Sequence, residues 1–235
     1  MTGTPGIPPG PPADPSPTDV PPPEATMAAH SPTRRVEFVL DLVCVHSYLA
    51  FTRFERAARR RRAAGDRIEV VFRPFQVAPD APAEGEPLPE RHRRDFGAEA
   101  ERMTQHMAAV GAREGLRLDF ARAVFVNTLP AHRLLAAAGR QGRAEQMAER
   151  LFRAYFAEGA HLGDAATLDR LAAETGVRRG GPEEPGERDL AAELAKVRAE
   201  GVRQVPLLRL DTGTTLSGAQ PEEVYDRALS GQPVG

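Results

Sequence analysis

Two apolar runs and the segment between them open the periodic part of this chain. Residues 36–43 (VEFVLDLV) and 68–75 (IEVVFRPF) are rich in β-branched and aromatic side chains, which predicts two buried strands. Over about 45–64 the apolar positions recur at helical spacing, and Gly65 with Asp66 ends that pattern. A strand, a long helix and a second strand predict a right-handed βαβ unit with parallel strands.

The middle of the chain, at about 88–178, has an almost entirely helical pattern. It follows a proline-rich loop, and Asp164 stands where an N-cap would begin its last helix. Strand character returns at 205–210, with a hairpin partner at 214–216 and a final helix at about 221–229. This order predicts an α/β protein: a thioredoxin-like fold with an all-helical insertion between a βαβ half and a β-hairpin-α half.

The same patterns predict the domain boundaries. Residues 1–33 are crowded with proline and contain scarcely any large apolar side chains, which predicts a disordered tail because little surface can be buried. Residues 34–230 form the predicted thioredoxin-like domain, and the insertion occupies about 88–178 of it.

Charge and cysteine content narrow the class of function. The 31 Lys and Arg residues against 33 Asp and Glu residues give a net charge of −2, which gives no electrostatic reason to expect nucleic acid or an anionic membrane as partner. The chain contains no stretch of about 18 apolar residues, so no transmembrane helix is predicted. A single cysteine cannot form an intramolecular disulfide, and the N-terminus lacks an apolar signal region, so we expect a cytoplasmic protein.

The single cysteine, Cys44, lies where the first predicted strand ends and the first predicted helix begins. Helix N-termini present unpaired N–H groups and a partial positive charge, which lower the pKa of a thiol and favour the nucleophilic thiolate. Alternatively, Cys44 is a small buried hydrophobic residue, the commoner state of a cysteine on an apolar strand. Position alone leaves both interpretations open. No histidine has metal-ligand spacing, so no metal site is predicted.

Several segments resemble, in the same order, motifs of DsbA-family oxidoreductases of the FrnE type. Residues 41–48 (DLVCVHSY) resemble the active-site segment D-x-x-C-P-W-C-Y, and residues 205–206 match the cis-proline loop. Residues 127–134 (NTLPAHRL), 151–159 (LFRAYFAEG) and 217–221 (SGAQP) are similar to N-T-x-x-A-H-R-L, L-F-x-A-Y-F-x-E-G and S-G-A-Q-P. The resemblance covers nearly all of the predicted domain.

The resemblance implies roles for individual residues. Cys44 takes the place of the nucleophilic cysteine and Ser47 that of the resolving cysteine, while His46 would stabilise the thiolate or exchange a proton with it. A cis Pro206 would bring the backbone of Val205 beside Cys44, where an extended substrate can pair with it. Other residues of the matching segments are expected to contact substrate: Tyr48, Asn127, Ser217 and Gln220.

The chain also departs from the family pattern. A DsbA-like oxidase uses one thiol to attack and a second to resolve the mixed disulfide, and Ser47 cannot resolve it. Val45 replaces the proline that usually follows the first cysteine, and Gln204 stands where a glycine is usual. Cys44 is therefore expected to attack a disulfide once and then to need an external thiol.

Three functions remain open. The first is a DsbA/FrnE-like thiol-disulfide oxidoreductase with one nucleophilic cysteine, no tightly bound cofactor, and glutathione or another low-molecular-weight thiol to complete turnover. Its partner would be a disulfide-bearing protein or small molecule. The resemblance also implies a homodimer, because related proteins with this insertion are often dimeric.

The second function is a thiol-dependent isomerase or transferase. Residues 48–51 (YLAF) are similar to a segment of kappa-class glutathione transferases and 2-hydroxychromene-2-carboxylate isomerases. Those relatives usually have serine in place of Cys44 and an acidic residue in the turn that corresponds to 217–219, which here has none. The third function is a non-catalytic thioredoxin-like binding module.

Overall fold

The computed structural model describes residues 1–3, 6, 10, 33–182 and 184–234. The expected disordered tail, residues 1–33, lies almost wholly outside the described residues. None of the described helices is long and apolar enough to cross a membrane.

A mixed four-stranded sheet forms the centre of the described chain. Its first two strands are β1 (Arg34–Leu40) and β2 (Ile68–Pro74). Its other two, β5 (Leu207–Leu210) and β6 (Thr215–Ser217), follow the insertion, which contains the short strands β3 and β4. Their order in the sheet is β2-β1-β5-β6; β1 is parallel to β2 and antiparallel to β5, and β5 and β6 form the predicted hairpin.

Helices cover both faces of this sheet because β1 alternates its side chains between them. Phe38, on one face, lies against α1 (Val45–Ala63), with its ring centroid 5.8 Å from that of Phe54 in an edge-to-face contact. Val39, on the other face, packs with Val197 of α7 (Glu187–Ala199). The last helix, α8 (Glu222–Leu229), packs beside α1.

The insertion between β2 and α7 is helical apart from one small sheet. Its helices are α2 (Leu88–Phe96), α3 (Glu99–Arg113), α4 (Leu129–Arg140), α5 (Ala144–Glu158) and α6 (Ala165–Thr175). The prediction of an all-helical insertion needs one correction: β3 (Glu86–Pro87) and β4 (Val124–Phe125) form an antiparallel pair. Two-residue strands carry no periodic pattern, so hydrophobic spacing could not reveal them.

An aromatic stack joins the insertion to α1. The ring of Tyr48 lies parallel to Phe152 of α5 at 4.9 Å and nearly parallel to Phe156 at 5.6 Å. All three side chains are buried. The thioredoxin-like fold with a helical insertion is thus confirmed, and one continuous hydrophobic core holds its two parts together.

Two predicted strands are shorter in the structure. β1 ends at Leu40 rather than at residue 43, because the Asp41 carboxylate accepts the N–H groups of Leu42 and Val77 and the chain turns there. β5 begins at Leu207 rather than at Val205, since Pro206 has no N–H to donate to the sheet.

Candidate active site

Cys44 is the N-cap residue of α1, directly after the turn that ends β1. Its backbone is extended, its N–H donates to the Asp41 carbonyl oxygen at 3.1 Å, and its own carbonyl oxygen accepts the Tyr48 N–H at 3.1 Å. The sulfur therefore lies at the start of the helix, beside the N–H groups of His46 and Ser47.

A loop from the other half of the sheet lies against the sulfur. The Val205–Pro206 peptide bond is cis, and the Cys44 thiol donates to the Val205 carbonyl oxygen at an Sγ–O distance of 3.8 Å. The next carbonyl oxygen, that of Pro206, accepts the Gly218 N–H at 2.9 Å, which ties this loop to the end of β6. Residues 161 positions apart in the chain therefore meet at the sulfur.

The environment of the sulfur opposes the lowered thiol pKa that a helix N-terminus favours. Burial raises the pKa of Cys44 above its ordinary value, and the negative charge of Asp41 raises it further. Hydrogen bonds from the Ser47 side chain and from the N–H groups of Ser47 and His46 lower the pKa, but desolvation outweighs them. Cys44 as a whole residue keeps partial exposure.

A buried carboxylate lies beneath the cysteine, and the sequence analysis did not identify it as part of the site. Asp41 is only 1% exposed; its Oδ1 accepts the Leu42 N–H and its Oδ2 the Val77 N–H, each at 2.8 Å. The Nε2 of His132 donates to the Phe75 carbonyl oxygen at 2.9 Å and lies 3.3 Å from Asp41 Oδ1. The available signal was the place of Asp41 as the first residue of the segment 41–48, which resembles the family's active-site segment.

His46 and Ser47 lie beside Cys44 in different environments. Ser47 is fully buried, and its Oγ accepts the Asp41 N–H at 3.5 Å while its hydroxyl also interacts with Cys44. The imidazole of His46 is exposed, and its backbone N–H is the part that affects the thiol.

Tyr48 and Asn127, both expected to contact substrate, are used inside the protein instead. Tyr48 is 5% exposed and stacked in the aromatic core, and burial raises its pKa to about 12. Asn127 donates to the Pro79 carbonyl oxygen and accepts from Gln76 and from the Leu129 N–H, all at 2.8–2.9 Å. It therefore fastens the loop after β2 to the start of α4.

Ser217 and Gln220 belong to the loop that supports Pro206. Ser217 is exposed at the end of β6, opposite Leu207. The Gln220 side chain donates to the Ser217 carbonyl oxygen, and its carbonyl oxygen accepts from Arg53 of α1 at 3.1 Å. The structure thus brings Cys44, His46, Ser47, Val205 and Pro206 together, whereas Gln220 holds a neighbouring loop in shape.

A large groove in the described part of the chain does not include Cys44. It has a volume of about 1460 Å³ and lies along the free edge of β2, between that strand and α4, α5 and α6. Burial and a hydrogen bond with Glu145 raise the pKa of Glu55, on its wall, to about 8. No cluster of three or more His, Cys, Asp or Glu residues suited to a metal occurs among the described residues.

Known proteins share this architecture. A probable DsbA oxidoreductase from Streptomyces coelicolor is 27% identical, with a TM-score of 0.70 over 86% of this chain and 93% of that one. The cytosolic disulfide reductase DsbM from Pseudomonas aeruginosa, in its structure with GSH, is 21% identical, with a TM-score of 0.53 over 84% of this chain and 98% of that one.

A 2-hydroxychromene-2-carboxylate isomerase is 14% identical, with a TM-score of 0.58 over 83% of this chain and 91% of that one. No curated protein sequence matches the chain. The model of the DSBA-like thioredoxin domain family matches residues 35–230, which is most of the chain and includes every residue described around Cys44. Together with the position of this cysteine against the Val205–Pro206 loop, the match establishes that the chain belongs to the DSBA-like thioredoxin domain family.

Proposed function

We propose that the protein is a monothiol member of this family: Cys44 attacks disulfides, and an external low-molecular-weight thiol such as glutathione completes each turnover. The observation that carries the proposal is the 3.8 Å contact between Cys44 Sγ and the Val205 carbonyl oxygen. It sets the only thiol of the chain against the Val205–Pro206 loop, to which we expect a substrate backbone to bond.

The exchange takes place in two steps. The Cys44 thiolate attacks one sulfur of a substrate disulfide, a new S–S bond joins them, and the other substrate sulfur leaves as a thiolate. A thiolate from the external thiol then attacks the mixed disulfide and releases Cys44. The external thiol thereby supplies the electrons that reduce the substrate and ends in a disulfide itself.

The surroundings of Cys44 have a direct role in the first step. On ionisation the thiol releases its proton to solvent, from which the departing substrate thiolate can take one up. The Val205 carbonyl oxygen, which accepted the thiol hydrogen bond, is then free to accept an N–H of the substrate. Hydrogen bonds from Ser47 and His46 then stabilise the thiolate. Because this chemistry needs a supply of reduced thiol, we propose a cytoplasmic location.

The raised pKa of Cys44 favours a second candidate, a binding module without catalysis. A thiol that stays protonated near neutral pH is a slow nucleophile, and the loop at Val205 could bind an extended peptide without any exchange. The two candidates differ in whether a covalent intermediate forms at Cys44.

Mass spectrometry of the protein after mixing with glutathione disulfide distinguishes them. We expect one glutathionyl group on Cys44, formed faster at pH 9 than at pH 7, and its removal by added glutathione. Cys44→Ser should remain unmodified. In Ser47→Cys the second thiol has the C-x-x-C spacing, so the mixed disulfide should resolve without added thiol.

The outcome that contradicts the proposal is specific. If wild-type protein stays unmodified at pH 9 while a free cysteine-containing peptide reacts under the same conditions, Cys44 is not a nucleophile. Binding of an extended peptide that survives in Cys44→Ser would then favour the binding module.

A further inference from the structure

Two arginine residues, Arg198 and Arg203, lie near the segments that contact Cys44 and its neighbour Asp41, and neither has a role in the exchange described above. Arg198, near the end of α7, has its guanidinium carbon 5.6 Å from the centre of the Phe75 ring, and its Nη2 donates to the Gln76 carbonyl oxygen at 3.4 Å. The residue after Gln76 is Val77, whose N–H is bound by Asp41 beneath Cys44.

Arg203 belongs to the segment that leads into the Val205–Pro206 loop. It lies two positions before Val205, and its Nη1 donates to the carbonyl oxygens of Arg198 and Val202 at 2.7 and 3.3 Å. Arg203 is exposed and Arg198 is half-buried. The Arg203 side chain therefore folds back onto the backbone of Arg198, next to the Val205–Pro206 loop that contacts the Cys44 sulfur.

Neither guanidinium group has a carboxylate partner among the described residues; both contact backbone carbonyl oxygens, and Arg198 also lies over the Phe75 ring. The nearest acidic side chains of α7 are already engaged. Glu193 binds Arg73, and Glu200 binds both Arg73 and Arg209. Asp41 is buried, with its oxygens bonded to N–H groups. Within the described residues, the guanidinium groups of Arg198 and Arg203 thus form no ion pair.

We propose that Arg198 and Arg203 form an anion subsite that selects thiols and disulfides with carboxylate groups close to the sulfur. A guanidinium group binds carboxylate with charge-assisted hydrogen bonds, and positive charge at the mouth of a cleft raises the local concentration of an anionic reactant. The inference rests on the proposed function, because it concerns which reactants reach Cys44.

Paired alkylating agents test the subsite without any assumption about the natural substrate. Iodoacetate is an anion and iodoacetamide is neutral, but both consume the same thiolate, so the ratio of their rate constants does not depend on the pKa of Cys44. We expect the rate constant for iodoacetate divided by that for iodoacetamide to fall at least about threefold in Arg198→Gln/Arg203→Gln. About 0.5 M salt should lower the ratio of the wild-type protein in the same direction.

Arg227→Gln is the matched control for the change in charge. Arg227 is exposed on α8, whose last residue Leu229 contacts Arg34 at the start of β1, the end of the strand away from Cys44. The ratio of the two alkylation rate constants in Arg227→Gln should equal that of the wild-type protein. Arg198→Lys/Arg203→Lys keeps the charges and should keep most of the ratio, which separates charge from folding.

The outcomes distinguish this inference from the function on which it rests. An unchanged ratio in the Gln variant, with Cys44 still reactive, overturns the subsite and leaves the proposed function intact. A ratio that falls equally in Arg227→Gln also overturns it. If neither reagent modifies Cys44 even at pH 10, both the subsite and the nucleophilic cysteine are wrong.

Discussion

Opposing effects act on the sulfur of Cys44, and their sizes decide its chemistry. Interaction with a helix N-terminus contributes about 0.3–1 kcal/mol, which is less than one pKa unit. Burial can shift a pKa by several units. At Cys44, burial and the negative charge of Asp41 both raise the pKa of the thiol. The hydrogen bonds from Ser47 and His46 lower it by less than burial raises it. A position at a helix start is therefore not enough to make a thiol acidic.

The first prediction concerns the pH dependence of Cys44. Because the pKa of the thiol lies above its ordinary value, the alkylation rate should still be rising at pH 9 rather than reaching a plateau near neutral pH. Ser47→Ala removes a hydrogen bond that lowers this pKa, so the rate at pH 7 should fall by about tenfold. Iodoacetamide rates from pH 6 to 10 measure both.

Ser230→Ala is the control for this prediction, since Ser230 bonds only within the end of α8. It should match the wild-type rate at each pH. A plateau of the wild-type rate below pH 8 would show that desolvation does not dominate at Cys44.

The second prediction concerns Asp41. Asp41→Asn removes the negative charge that raises the pKa of Cys44, so alkylation at pH 7 should become faster by about threefold or more. The amide cannot accept the N–H groups of both Leu42 and Val77, so the variant should also lose about 1–3 kcal/mol of stability. Alkylation rates and urea denaturation give the two values.

Asp80→Asn serves as its control, because Asp80 is exposed on the same loop as Val77. It should change neither value. Slower alkylation in Asp41→Asn would mean that Asp41 helps to activate the thiol rather than to keep it protonated.

Residue roles could be predicted from the sequence only where a short motif fixes the backbone. The meeting of Cys44 with Val205 follows from segments that resemble the family pattern, and the structure contains it. The orientation of Tyr48 does not follow from such a segment, because it depends on the stack with Phe152, which lies 104 positions further along the chain. Asn127 likewise finds its partners in a distant loop.

At the scale of elements, one arginine fastens α7 to the edge of the sheet. Arg73 of β2 is 7% exposed and binds Glu193 at 2.6 Å and Glu200 at 2.8 Å, both on or next to α7. Val197 and Val202 of this region pack against Phe75, and Val205 borders the same cluster. The position of the loop at Cys44 therefore depends on how α7 is held.

The third prediction is that Arg73→Met lowers the free energy of unfolding by about 2 kcal/mol, because Glu193 loses its partner and Glu200 keeps only Arg209. Hydrogen bonds from Arg73 and Arg209 lower the pKa of Glu200 from 4.5 to about 2. The stability from this carboxylate is present above pH 4.5 and is lost as the pH falls towards 2. That acid-dependent loss should be smaller in Arg73→Met.

Urea denaturation at pH 7 and at pH 3 measures the effect. Arg170→Met removes an arginine whose side chain is 50% exposed and pairs with Glu174, and it should cost less than 0.5 kcal/mol. Equal losses in the two variants would show that Arg73 contributes no more than a surface ion pair.

At the scale of the whole molecule, the insertion and the sheet share one core. Element order was readable from the sequence because long helices and apolar strands have clear periods, and Asp164 caps α6 through the Thr167 N–H as expected. The two-residue strands and the ends of β1 and β5 were not readable. The pairing of the two-residue strands and the turn after β1 depend on hydrogen bonds with distant parts of the chain, whereas β5 begins after a proline that donates no N–H.

The fourth prediction tests this shared core. Phe152→Ala removes a fully buried ring that contacts Tyr48 and Phe51 of α1, so it should lower the free energy of unfolding by about 3–5 kcal/mol. Because one core serves both parts, far-ultraviolet circular dichroism and tyrosine fluorescence should report a single shared transition.

Phe96→Ala is the control, since this ring is 45% exposed at the end of α2. It should cost less than about 1 kcal/mol. A loss in Phe152→Ala confined to one of the two probes would indicate that the insertion and the sheet unfold separately.

Turnover with an external thiol tests the central claim most directly. Reduction of a glutathionylated peptide by glutathione is followed with wild-type protein and with Cys44→Ser, at pH 7 and at pH 9. The account predicts catalysis by the wild-type protein that increases at pH 9, requires glutathione and is absent in Cys44→Ser. Equal rates with the two proteins would contradict it, because the only cysteine of the chain would then have no part in the exchange.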